Sequence, residues 1–170
     1  MNAFRFCPRC ATELELRREV AEDPERPTCP SCGFVHYENP APTVQGWIER
    51  DGRYLLLRRA REPQKGLWNL PGGFVEPLEA PEEAVRREVA EETALDVEVL
   101  EMIGAFPSPY ADTGRTTLDL AYRCRLVAGE VRLSDESGEA GWFALDSLPE
   151  LAFEGERSAA KALAQLVQPA

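Results

Sequence analysis

The chain is short of positive charge. Its 19 lysines and arginines stand against 30 aspartates and glutamates, a formal net charge of -11. This balance argues against a surface that tracks a nucleic-acid duplex, because such a surface needs a basic patch to displace counterions from phosphate. No apolar run is long enough to span a bilayer, so a membrane role is not expected. There is also no internal repeat, no low-complexity tract and only one histidine, His36.

What is present is a chain of 170 residues with 44% hydrophobic content, enough for one sizeable core and little more. The prolines of Tyr37-Glu38-Asn39-Pro40-Ala41-Pro42 favour extended backbone and mark a linker. The expected division is a small module over residues 1–38 and a main domain over 39–170.

The small module carries Cys7-Pro8-Arg9-Cys10 and Cys29-Pro30-Ser31-Cys32. Two such knuckles at this separation are the pattern of a four-cysteine zinc ribbon, a closed tetrahedral site that supplies folding energy and leaves no position for water. The competing reading is two disulfides. Cys124 is then an odd thiol and no signal peptide precedes Cys7, so a reducing cytoplasm is the expected setting. Residues 12–20 alternate enough to make a strand. His36, four residues beyond Cys32, reads as packing rather than as a zinc ligand. Arg5, Arg9, Arg17, Arg18 and Arg26 interleave with six acids, which favours a docking or dimer-forming module, and hence a possible homodimer, over a nucleic-acid surface.

In the main domain, residues 43–50 and 53–59 read as a hairpin around Asp51-Gly52. Further strands are expected over 102–106, 117–127 and 141–145, and a closing helix over 157–167. The order gives an α/β sandwich.

The most telling segment is GFVEPLEAPEEAVRREVAEETAL, from Gly73 to Leu95. Pro81 suits a first helical position, and the helix should run to about Thr93 with Val85 and Val89 on its buried stripe. Glu88, Glu91 and Glu92 then stand at i, i+3 and i+4, sharing an arc of about 100°. Three carboxylates so placed repel one another on a bare helix and gain when a divalent cation sits among them. The bland alternative is an acidic, solvated helix face.

Gly73, Glu79 and Arg87-Glu88-Val89-Ala90-Glu91-Glu92-Thr93-Ala94-Leu95, preceded by Leu67-Trp68-Asn69-Leu70-Pro71-Gly72, resemble the Nudix box. Ala94 departs from it, standing where the family usually has glycine. The resemblance implies a mixed sheet between helices and a magnesium- or manganese-dependent hydrolysis of a nucleoside diphosphate linked to another group. It makes Glu88 and Glu92 the direct metal ligands, with Glu91 and the Gly72 carbonyl contributing, while Arg87 and Glu79 orient the box. The general base is left between Glu88 and a later loop, where Glu139, three residues before Trp142, resembles the downstream glutamate that completes the metal site. Glu139 is also readable as a solvated loop acid beside Asp135 and Glu136.

A zinc ribbon joined to this box is similar to the NADH pyrophosphatases, but the Gln-Pro-Trp element of those enzymes is absent. The arrangement looks more like the small ADP-ribose pyrophosphatases, implying a small-molecule nucleotide substrate such as ADP-ribose, NADH or FAD. Phe106 and Tyr110 are the expected substrate contacts, in the run Phe106-Pro107-Ser108-Pro109-Tyr110. Trp68 and Phe74 flank the glycine turn and read as structural. The alternatives are a nucleotide-sugar sensor without catalysis and a zinc-ribbon nucleic-acid-binding protein.

Overall fold

A computed structural model of the chain describes residues 4–18 and 20–167. The chain forms two compact units, Met1–Asn39 and Pro40–Ala170.

In the first unit, β1 (Glu15–Arg17) pairs antiparallel with β2 (Arg26–Thr28). The strand expected over 12–20 narrows to three exposed residues, and residue 19 lies outside the described ones. His36 meets Phe4 edge to face, with ring centroids 4.6 Å apart, and stands apart from the thiols as its packing role requires.

The second unit is built on a mixed sheet. Its β3 (Ala41–Arg50) and β4 (Arg53–Arg59) form the expected hairpin. Asp51 and Gly52 both take positive φ at the turn. These strands pair only at the turn end, Glu49 with Tyr54 and Arg50 with Arg53, and then diverge. β3 next takes β6 (Gly72–Phe74) along one edge and runs parallel to β8 (Thr116–Ala128) along the other. β4 takes β5 (Trp68–Asn69) and β9 (Ser137–Ala144), and β7 (Asp96–Pro109) flanks β8. The linker ends sooner than its prolines imply, because Pro42 already sits in β3 opposite Leu118.

Helices cover both faces. On one, α1 (Pro81–Thr93) buries Ala84, Val85 and Val89 against Val44, Ile48, Leu55 and Leu57. On the other, α2 (Glu154–Leu166) buries Ala159 and Leu163 against Trp47, Tyr54 and Leu56. The alternation Trp47/Ile48 and Leu55/Leu56/Leu57 between these two clusters is the period-2 signature of strands buried on both sides. The result is an α/β/α sandwich: the element order implied its α/β class, and the family resemblance implied its mixed sheet between helices.

Candidate active site

The site is organised by two glycines. β6 passes so close to β3 that a Cβ on Gly72 would lie 2.1 Å from the Val44 carbonyl oxygen. One on Gly73 would lie 2.6 Å from the Glu88 carboxyl, so glycine here makes room for α1's acidic face. Ala94 ends α1 in the left-handed conformation, with φ 58° and ψ 20°. The alanine therefore adopts the geometry that a glycine would have reached without strain.

Along α1, Arg87 gathers the acids. Its Nε and Nη2 donate to the two oxygens of Glu79 at 2.8 and 2.9 Å, and its Nη1 donates to Glu88 at 2.8 Å and Glu91 at 3.3 Å. Nη2 also reaches the Phe74 carbonyl at 3.2 Å, tying the helix to the end of β6. The guanidinium holds the Glu79 carboxyl down at about 2, aided by the Glu76 N–H. Glu92 is 8% exposed and accepts the Gly72 N–H at 3.2 Å. Burial pushes its carboxyl up to about 8, and the Gly72 bond only partly opposes that, while Glu88 and Glu136 raise it further. Burial also raises Glu88, against the pull of Arg87.

Buried carboxylates that repel one another and offer only oxygen match a hard divalent cation, whose charge would remove the desolvation penalty they carry. The acids are drawn towards Arg87 and Gly72 here. Among the described residues, the four thiols are the group of three or more ligand side chains whose atoms all lie within 4.8 Å of one another.

Glu139 stands elsewhere than on this face. Opposite Arg58 in β9, it makes an exposed ion pair at 3.3 Å. A bulge between Arg58 and Arg59 shifts the register there, and Glu136 is the loop acid that shares a cavity with Glu92, Arg59, Asn69 and Tyr110.

A second, adjoining cavity is lined by Gly72, Gly73, Phe74, Asn69, Tyr110, Asp119, Phe153 and Glu156. Tyr110 and Phe153 stack at 5.5 Å with 12° between planes, and Phe74 meets Tyr110 edge to face at 5.7 Å. Arg59 lies 5.0 Å over Phe153 and Arg115 lies 5.8 Å over Phe74. Phe106 is not among the lining residues. It packs instead into the α2-side core with Trp47 and Tyr54. The α2 N-terminus approaches so closely that a Cβ on Gly155 would lie 1.7 Å from an Asp119 oxygen.

Over the zinc knuckles the four sulfurs all lie within 4.8 Å of one another, Cys7 to Cys32 at 3.6 Å and Cys10 to Cys29 at 3.5 Å. A tetrahedral zinc with bonds of about 2.3 Å sets its sulfurs about 3.8 Å apart, whereas a disulfide needs about 2.05 Å. The thiols are free, so the two-disulfide alternative fails and the donor set fits zinc. Ala11 and Gly33, each just past a knuckle, both take left-handed φ, at 58° and 72°. Their N–H groups donate to the Cys7 and Cys29 carbonyls at 2.9 and 3.1 Å.

Comparison with known proteins decides the family. A NUDIX domain model matches residues 39–166 and a Nudix N-terminal zinc-ribbon model matches residues 5–38. The chain belongs to the Nudix family. An ADP-ribose pyrophosphatase of Methanocaldococcus jannaschii is 41% identical over 71% of this chain and 72% of its own length. An NAD-capped RNA hydrolase of Chromobacterium violaceum is 36% identical over 88% of this chain, which spans only 54% of that relative. Among solved structures, a Nudix hydrolase from Nitrosomonas europaea superposes with a TM-score of 0.80 at 29% identity, covering 98% of this chain and 96% of that one. Nudix membership brings a need for a divalent metal, and no helix among the described residues is long and apolar enough to cross a membrane.

Proposed function

We propose that this Nudix hydrolase cleaves the diphosphate bridge of ADP-ribose, or of a related dinucleotide such as NADH or FAD, with magnesium or manganese. Water adds to one phosphorus, the P–O bond of the anhydride breaks, and AMP leaves with a phosphorylated partner, ribose 5-phosphate in the case of ADP-ribose. The single observation that carries this reading is the intact acidic face of α1, closed against Gly72 by Glu92 and braced by Arg87.

In this reading Glu88, Glu92 and the Gly72 carbonyl would hold the cation, with Glu91, the more exposed acid, contributing. A bound divalent cation supplies charge neutralisation for the phosphate oxygens, without which an acidic protein would repel its substrate. Arg87 and Glu79 fix the direction of Glu88 and leave it little freedom to reorganise. In this reading the proton of the attacking water passes to a carboxylate, either Glu88 on the helix or, in place of the exposed Glu139, Glu136, which lines the cavity with Glu92. The ring cluster of Phe74, Tyr110 and Phe153 receives the nucleoside, replacing the Phe106 contact by residues that line the cavity. The Methanocaldococcus relative supports ADP-ribose as first choice. The ribbon's zinc has a structural role only.

Incubating the protein with magnesium and ADP-ribose, NADH, FAD, diadenosine polyphosphates or nucleoside triphosphates, with chromatographic identification of products, tests the reading. AMP and ribose 5-phosphate from ADP-ribose are expected; no turnover of any of these sinks it.

A further inference from the structure

One buried carboxyl beside the aromatic cavity has no part in the proposed reaction. Glu156 is 5% exposed and stands in the first turn of α2. One of its oxygens reaches back along its own helix to accept the Phe153 N–H at 3.1 Å. The other leaves the helix to accept the Leu70 N–H at 2.9 Å, 86 residues away in the chain.

A glutamate at the third helical position commonly reaches back to the N-cap amide. It can do so from solvent, so capping alone gives no reason to bury it. Burial pushes this carboxyl up to about 8, and the neighbouring charge of Asp119 adds to the rise. What the buried position adds is the second bond. β5 ends at Asn69 and β6 begins at Gly72, so Leu70 has left the ladder, and its buried N–H needs an acceptor from elsewhere.

Backbone already makes the rest of this joint. Trp68 donates to the Glu150 carbonyl at 3.2 Å, and Ala152 donates to the Trp68 carbonyl at 2.7 Å. Glu156 extends the joint by one residue on each side. It reaches Leu70, which leads through Pro71 into the glycine turn, and Phe153, whose ring stacks on Tyr110. The turn that carries the Gly72 carbonyl and the ring wall of the cavity thus hang from one carboxyl.

We infer that Glu156 is a positioning residue that holds the Phe153 ring and the glycine turn in register, aligning the nucleoside cavity with the cation site. It acts through the two N–H groups rather than on either ligand. The inference rests on the hydrolase reading above and adds to it the group that joins the two halves of the site.

The test is calorimetric binding of AMP without metal, and of manganese without nucleotide, to the wild-type chain, Glu156→Gln, Glu156→Ala and Phe153→Ala. Glu156→Ala releases both N–H groups. It should bind AMP about 3- to 10-fold more weakly and manganese about 10-fold more weakly, the low end of the cost of losing an outer partner of a metal ligand. Glu156→Gln has nearly the same size but one oxygen for two donors, so it should fold and show at least one of these losses. Phe153→Ala keeps its backbone N–H and should weaken AMP while leaving manganese unchanged. A chain that is merely less stable keeps its manganese affinity well below its melting temperature, which separates positioning from a purely structural role.

Wild-type affinity for both probes in Glu156→Gln overturns the inference, even if Glu156→Ala fails to fold. So does a folded Glu156→Ala that loses only one of the two, a manganese loss in Phe153→Ala, or a wild type that does not bind both probes. None of these measurements needs turnover. The expected losses in a chain that hydrolyses nothing would sink the hydrolase reading alone, and hydrolysis with affinities untouched by the Glu156 variants would sink this inference alone.

Discussion

Arg87 grips Glu79 through two parallel bonds, Nε and Nη2 to the two carboxylate oxygens at 2.8 and 2.9 Å, eight residues apart along the chain. The pair locks the loop before α1 to the helix's acidic face and fixes the planar guanidinium from which Glu88 hangs. Lysine carries the charge but not the fork. Arg87→Lys should therefore fold and still lose turnover by about 10- to 100-fold, the usual cost of removing the outer partner of a metal ligand. Steady-state kinetics with a melting curve checks this; undiminished activity would reduce Arg87 to a surface ion pair.

Gly73→Ala should act through Glu88. The new Cβ would stand 2.6 Å from the Glu88 carboxyl, so either the acid or β6 must move. A cost of roughly 1–3 kcal/mol is expected for such overpacking. Denaturant unfolding measures it, and a weaker magnesium dependence of turnover should accompany the loss. An alanine variant with wild-type stability and metal response would show that the close approach is unimportant.

Glu156 predicts a pH dependence of stability. Burial pushes its carboxyl up to about 8, against the Leu70 and Phe153 N–H bonds and the charge of Arg59, while Asp119 adds to the rise. The folded chain thus holds this proton more tightly than the unfolded chain. The associated stability is complete below the ordinary carboxylate range, near 4.5, and is lost as pH climbs towards 8. Glu156→Gln cannot ionise and should flatten that decline. Glu92 has a similarly raised value, so part of the slope remains. Denaturant titrations at several pH values decide; an unchanged slope in the variant would contradict the argument.

Chelating the zinc should unfold the small module and spare the chemistry. Four thiolates on a structural zinc contribute about 10 kcal/mol or more of apparent folding energy, far beyond what a two-stranded sheet of three-residue strands supplies. Amide exchange should rise over residues 5–38 while turnover persists. Immediate loss of chemistry with the module still ordered would assign the zinc a catalytic part.

Several of these features were legible in the sequence for physical reasons. Pro81 at the first turn and the Val85/Val89 stripe set α1 to its residue limits, and Asp51-Gly52 set the hairpin. β5 and β6 were not legible, since strands of two and three residues carry no period and β6 opens with two glycines. α2 starts at Glu154 rather than 157 because its first turn contains Gly155, which reads as a breaker but is needed where Asp119 approaches. That Glu136 rather than Glu139 lines the cavity beside Glu92 turns on a bulge opposite β4 that no spacing rule reveals. Phe106 and Tyr110 look alike in sequence; their separation, one in the α2-side core and one on the cavity wall, comes from the register of β7 on β8.

The account stands most directly on the magnesium dependence of ADP-ribose hydrolysis, measured side by side for the wild-type chain and Glu92→Gln. The wild type should release AMP and ribose 5-phosphate only when magnesium or manganese is added. The variant should remain folded and lose more than the roughly 100-fold that removal of an outer partner costs. Hydrolysis that needs no divalent metal, or that survives in Glu92→Gln, would contradict the assignment of chemistry to the acidic face of α1.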